Sequence, residues 1–197
     1  MNNNFLKPYG IGESCYNYPL YFKEQHQNMQ PGMEYLMRPL PIFDNIDYKG
    51  SGKLKDKVAI ITGGDSGIGR AVAVYYAKEG AKLVLVYYNE HKDAKDTKAY
   101  IEKLGGEVLL LNGDLKNPEF SKYIVEQTLD YYGKIDVLVN NAGVQYFANR
   151  LMDISNGQFD YTMKSNIYSM FYLTKAVLPY MKSNASIINT TSITTFN

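Results

Sequence analysis

From Lys57 onward, short unbroken apolar runs alternate with longer stretches whose apolar residues recur at helical spacing. Val58-Ala59-Ile60-Ile61, Leu83-Val84-Leu85-Val86 and Val108-Leu109-Leu110-Leu111 carry no polar interruption, as strands buried on both faces do. Ile135-Asp136-Val137-Leu138-Val139 predicts a fourth strand and Ile187-Ile188-Asn189-Thr190 a fifth. Between them the pattern predicts helices over 68–79, 91–104 and 118–132, and a long helical stretch over 156–182, continuous or broken into two. The punctuation agrees. Gly105-Gly106 and Gly133 are helix stops, and Pro118 stands where a first helical turn tolerates proline. Strand and helix in alternation predict a parallel sheet with helices on both faces, an α/β, doubly wound, Rossmann-like fold.

The chain before residue 53 has neither period. Pro8, Pro19, Pro31, Pro39 and Pro41 fix φ and remove backbone donors, which disfavours regular structure. The same segment carries Phe5, Tyr9, Tyr16, Tyr18, Tyr21, Phe22, Tyr35, Leu36, Met37, Ile42, Phe43 and Tyr48, and aromatic residues are scarce in disordered chains. Residues 1–52 therefore read as an arm lying extended on a surface, its own or a neighbour's. Gly50-Ser51-Gly52 reads as a flexible joint, and 53–197 as the folded body.

Composition narrows the setting. A chain of 197 residues suits one domain with a short appendage. It is 45% hydrophobic and 21% charged with a net charge of +1, so it lacks the basic footprint of a nucleic-acid binder. Cys15 is the only cysteine, which excludes an internal disulfide. With His26 and His91 as the only histidines, a structural Cys/His zinc site is excluded too, and no metal is expected. No apolar run approaches the ~18 residues that a membrane span requires. The first residues also lack the charged-then-apolar order of a secretory signal. The expectation is a cytoplasmic protein with no membrane or nucleic-acid partner.

The chemistry enters at Thr62-Gly63-Gly64-Asp65-Ser66-Gly67-Ile68-Gly69-Arg70, which leaves the first strand and opens the first helix. Glycines there permit a tight turn and a close backbone approach to a pyrophosphate, and the helix N-terminus offers free N–H groups. Gly50-Ser51-Gly52-Lys53 is no phosphate loop: it lacks the earlier glycine and a Ser or Thr after the lysine, and it precedes the strand. The loop resembles the TGxxxGxG loop of the short-chain dehydrogenases/reductases. Three further segments resemble that family in order: Asn112-Gly113-Asp114-Leu115, Asn140-Asn141-Ala142-Gly143 and Ser165-Asn166-Ile167. The resemblance covers residues 53–197. The arm and its joint resemble those of bacterial stress-associated oxidoreductases, a subgroup with an N-terminal extension.

The resemblance implies a Rossmann domain that binds NAD or NADP and an oxidoreductase moving hydride between the nicotinamide and a carbonyl/alcohol substrate. It implies cofactor contacts from Gly63, Asp65, Ser66, Gly67, Ile68, Gly69, Tyr87, Asp114, Leu115, Asn141, Ala142 and Gly143. It implies catalytic roles for Ser192, holding the substrate oxygen, and Asn166, orienting a water relay. The family's acid/base is a tyrosine in a Tyr-x-x-x-Lys pair beyond that serine, and neither residue is in the chain. Tyr88 and Lys92 have that spacing but follow the second strand, and we read them as coincidence. The expectation is thus a partial sequence with five strands of the usual seven, inactive as it stands. The alternatives are a non-catalytic nucleotide-binding module and a non-functional fragment. Tyr87 stands where an acidic residue would favour NAD, so the reading leans to NADP, with Arg70 and Lys92 as candidate partners for a 2′-phosphate. Tyr146 and Phe147 are candidates for the pocket wall or the core. A homo-tetramer is the assembly implied for the full-length form, and the oligomeric state of this chain stays open.

Overall fold

The computed structural model describes residues 24–192. Cys15, the arm's aromatic residues from Phe5 to Phe22, and the last residues from Thr194 lie outside the described residues. Five strands run in the order β3-β2-β1-β4-β5. They are β1 (Val58–Thr62), β2 (Lys82–Tyr87), β3 (Glu107–Asn112), β4 (Ile135–Asn140) and β5 (Met181–Asn189). Every neighbouring pair is parallel. Helices α1 (Gly67–Lys78), α2 (His91–Lys103) and α3 (Pro118–Tyr132) alternate with the first strands. The later helical stretch divides into α4 (Asn156–Met163), a π-helical turn (Lys164–Tyr168) and α5 (Ser169–Val177).

The unbroken apolar runs follow from this layering. Ala59 and Ile61 face one side of the sheet, where α1 and α2 bring Ala73, Val74 and Ile101. Ile60 faces the other, where α3 and α5 bring Ile124, Val125, Leu173 and Val177. A strand covered on both faces has no polar side to show, so periodicity two disappears. The helix ends follow local chemistry. Asn117 accepts the Glu119 N–H with its side chain, Pro118 takes the first turn, and Gly133 closes α3 in the left-handed region at φ 76°.

Two boundaries differ from the sequence expectation. The last helix ends at Val177, followed by a single turn at Leu178–Tyr180, and not at 182. Strand β5 begins earlier than expected, at Met181, but its ladder is irregular. Ile135 pairs with Met181 and Val137 already with Ser186, so the intervening residues bulge. The regular pairing, Ser186 to Asn189, sits almost where the apolar run placed the strand. As an edge strand, β5 leaves Ile187 and Ile188 37% and 42% exposed.

The described part of the arm lies on its own body. Phe43 and Leu54 pack against the α1/α2 side of the core. The 50–52 segment is not the flexible joint that its glycines imply. Glu79, just past α1, accepts the backbone N–H of Ser51 and Lys53 at 3.0 and 2.9 Å and the hydroxyl of Tyr48. A Cβ at Gly50 would stand 1.8 Å from the Lys78 carbonyl oxygen, so this glycine serves close packing. The Tyr48 hydroxyl first, then the Lys53 and Ser51 N–H groups, hold the Glu79 carboxyl at about 2, against burial.

Candidate functional site

The strand order changes direction between β1 and β4, because β2 and β3 extend the sheet one way and β5 the other. In such sheets the crevice beyond the carboxyl ends of the strands at that point receives ligands. A cleft opens there, and nine of the twelve residues expected at a cofactor line it: Gly63, Asp65, Ser66, Tyr87, Asp114, Leu115, Asn141, Ala142 and Gly143. The other three sit at the start of α1. Gly67 has φ 51° and open space where a Cβ would be, Ile68 is exposed, and Gly69 is buried.

Thr62 ties the phosphate loop to the loop after β4. Its hydroxyl oxygen accepts the N–H of Asn141 at 2.9 Å and of Ala142 at 3.0 Å. Asn141 in turn donates its side-chain amide to the carbonyls of Thr62 and Gly63, each at 3.2 Å. A Cβ on Gly63 would lie 3.1 Å from the Ala142 Cα, so glycine is what lets the two loops meet. Gly69 matters for a different reason: its Cβ would stand 1.9 Å from the Gly63 carbonyl oxygen. Near the other end of the cleft, Gly113 N–H donates to the Tyr87 carbonyl at 3.0 Å, and Asp114 accepts the Lys116 N–H at 2.9 Å.

Asn166 lies in the π-helical turn, and both ends of its side-chain amide are bonded to Val144. Its oxygen accepts the Val144 N–H and its nitrogen donates to the Val144 carbonyl, both at 2.8 Å. The turn thereby braces the Asn141-Ala142-Gly143 loop, and interruptions of this kind recur at functional sites. Ser192 stands beyond the end of β5, and nearby Thr190 donates its N–H to the Asn140 carbonyl at 2.9 Å and its hydroxyl to Asn141 Oδ1 at 3.2 Å. Tyr146 meets the ring of Tyr161 edge-on at 6.0 Å, whereas Phe147 is exposed, so neither belongs to the core.

Four residues here escape sequence reasoning. Glu90 is buried and accepts the N–H groups of Tyr88 and Asn89 at 3.1 and 2.9 Å, stiffening the turn after β2. Lys116 pairs with Asp114 at 2.8 Å and lies 4.4 Å from the Tyr161 ring centre, inside the cleft. Pro31 and Glu34 come from the arm: Pro31 lines the cleft, and Glu34 reaches α1. Glu34 meets residues 33 and 36 positions away, so it has no local signature, and that Lys116 and Glu90 lie at the cleft depends on the packing around them. The candidate phosphate partners Arg70 and Lys92 are engaged elsewhere. Arg70 pairs with Glu34 at 2.7 Å and stacks on Phe43, and Lys92 pairs with Asp96. Tyr88 faces Lys116 rather than forming a unit with Lys92. Burial pushes the Asp65 carboxyl up to about 6; a Ser66 hydrogen bond opposes this, and the Glu90 and Asp93 carboxylates add to it.

The cleft has the features a dinucleotide needs: Gly67 is bare where a Cβ would stand, and the Ile68 and Gly69 N–H groups precede the first helical bond of α1. The family model described as short chain dehydrogenase matches residues 57–197. The chain belongs to this family. General stress protein 39 of Bacillus subtilis (strain 168) is 51% identical over 177 residues, 90% of this chain and 62% of that protein. NADPH-dependent aldehyde reductase 1, chloroplastic, of Arabidopsis thaliana is 40% identical over 180 residues, 88% of this chain and 62% of that protein. Among solved structures, a short chain dehydrogenase from Burkholderia cenocepacia J2315 in complex with NADP superposes with a TM-score of 0.68 at 30% identity, covering 72% of this chain and 57% of that one. The chain thus spans about three fifths of the length of the curated relatives it matches. As a short-chain dehydrogenase, it carries the five parallel strands and the glycine loop from which the family's cleft is built.

Proposed function

We propose that this short-chain dehydrogenase binds NADP and serves an oxidoreductase acting on a small carbonyl/alcohol substrate. The observation that carries the proposal is the convergence of the 63–69 loop, Tyr87, Asp114-Leu115 and Asn141-Ala142-Gly143 on one cleft. Gly63 would shape the turn, Gly67 would leave room for the pyrophosphate, and the Ile68 and Gly69 N–H groups at the start of α1 would receive it. Asp114 and Leu115 would hold the adenine, and Tyr87 would face the adenosine ribose. The nicotinamide, when bound, supplies or accepts a hydride at the substrate carbon. Ser192 would donate its hydroxyl hydrogen to the substrate oxygen. Asn166 would orient a water for proton transfer through its backbone, since its side chain is spent on Val144.

The preference for NADP is supported by the turn after β2. Tyr87 leaves no carboxylate at the position that repels a 2′-phosphate, and Glu90 is committed to the backbone of Tyr88 and Asn89. Among the described residues Lys116, paired with Asp114, is the cation that lines the cleft. The names of the plant reductase and of the Burkholderia complex point the same way. Among the described residues no helix is long and apolar enough to cross a membrane; a cytoplasmic setting, and a homo-tetramer for the full-length form, complete the proposal.

Calorimetric titration tests it. NADPH should bind the chain, with NADH weaker by about tenfold or more, the worth of one charge-assisted phosphate contact. Tighter NADH binding would reverse the cofactor preference, and binding of neither would remove the dinucleotide reading.

A further inference from the structure

We propose that the N-terminal arm is a working part of the dinucleotide site, with Glu34 as a positioning residue that holds the start of α1 in the shape a pyrophosphate needs. This rests on the dinucleotide reading above.

Arg70 N–H closes the first helical bond of α1, onto the Ser66 carbonyl. The N–H groups of Gly67, Ile68 and Gly69 therefore stand ahead of the helical ladder. Glu34 takes the first of them, with Oε2 2.5 Å from the Gly67 nitrogen. Its other oxygen accepts from the Arg70 guanidinium at 2.7 Å. The carboxylate is 5% exposed, so the ion pair is made away from water. Both of its oxygens are thus met by donors, as a buried carboxylate requires. Gly67 needs this hold, because at φ 51° and with open space where a Cβ would stand it has no side chain to fix the turn by packing.

Glu34 is itself held. Its backbone N–H and that of Tyr35 both donate to the carboxylate of Asp93 on α2, at 2.8 and 3.0 Å. Upstream, the side chain of Gln27 brackets Met33, accepting its N–H at 2.8 Å and donating to its carbonyl at 2.9 Å. The same stretch of arm brings Pro31 to the wall of the cleft. Downstream, the Phe43 ring lies 3.7 Å from the Arg70 guanidinium carbon. The arm thus grips the phosphate loop from outside the cleft, and its carboxylate, neutralised by Arg70, leaves the Ile68 and Gly69 N–H groups to the ligand.

The test titrates NADPH, ADP and adenosine into the chain and into Glu34→Ala and Glu34→Gln. Glu34→Ala should weaken NADPH and ADP by about tenfold, the worth of one charge-assisted hydrogen bond, and leave adenosine unchanged. Glu34→Gln keeps an oxygen for the Gly67 N–H and should lose less. A merely structural role would weaken all three ligands alike, and that result overturns the proposal. So does unchanged binding, or tighter binding, which would make Glu34 a competitor of the phosphate. If Glu34→Ala does not fold, Glu34→Gln decides: its loss must fall on NADPH and ADP and spare adenosine. If the parent chain binds NADPH and the variants match it, only this inference falls. If the parent binds none of the three ligands, the dinucleotide reading falls and this inference with it.

Discussion

Asp65 shows how far a single side chain departs from its sequence meaning. In the sequence it is a polar residue of a glycine-rich loop; in the fold it is a buried carboxyl raised to about 6. Its raised pKa fixes the sign of its linkage to folding. The folded state holds the proton more tightly than the unfolded chain, so the contribution is fully present below the ordinary aspartate range and is lost as pH rises through about 6. Asp65→Asn should remove that decline and gain on the order of 2 kcal/mol at neutral pH. Thermal melts of both proteins from acid to neutral pH check this; parallel profiles would show that Asp65 ionises freely. The position of Asp65 was legible in the sequence, because the loop follows a strand directly. Its protonation was not, because the burial that raises it, and the Glu90 and Asp93 carboxylates that add to it, come only when distant elements close over the loop.

At the scale of the element, the turn from β1 into α1 uses its glycines differently. Gly67 needs a left-handed φ in open space, whereas Gly69 needs the absence of a side chain against the Gly63 carbonyl. Gly67→Ala should cost about 1–2 kcal/mol, the left-handed penalty alone. Gly69→Ala should cost more, roughly 3 kcal/mol, since backbone must move. Urea unfolding separates the two, and equal stabilities would refute the packing account. A loss of nucleotide binding in a Gly69 variant would therefore report the fold as well as the contact. The spacing of these glycines was plain in the sequence. The division of labour was not, because it depends on which backbone atom lies opposite. The same holds for 50–52, where two glycines and a serine implied freedom and Glu79 supplies the fastening.

Across the whole molecule, segment 147–178 carries an unusual amount of exposed apolar surface. Phe147, Leu151 and Met152 are 88%, 82% and 87% exposed, and Phe159, Phe171 and Leu178 add to them. Surface of this kind marks interaction sites. Self-association would cover it, so sedimentation should show a species larger than the monomer, and Phe171→Asp should shift it to smaller species. A monomeric parent chain would refute self-association through this segment.

What the sequence by itself determined was local: where apolar runs make strands, where the glycine loop and the Asn141-Ala142-Gly143 segment fall, and hence the parallel sheet. These depend on contacts between near neighbours and on a period that two-sided burial leaves visible. Only the tertiary structure decided what the arm does, that Arg70 answers to Glu34, and that Lys116 faces the cleft. Glu34 and Arg70 are charged groups far apart in sequence, and Lys116 meets the Tyr161 ring from a distant helix; the effect of each comes from burial, which a chain acquires only when distant elements close over them.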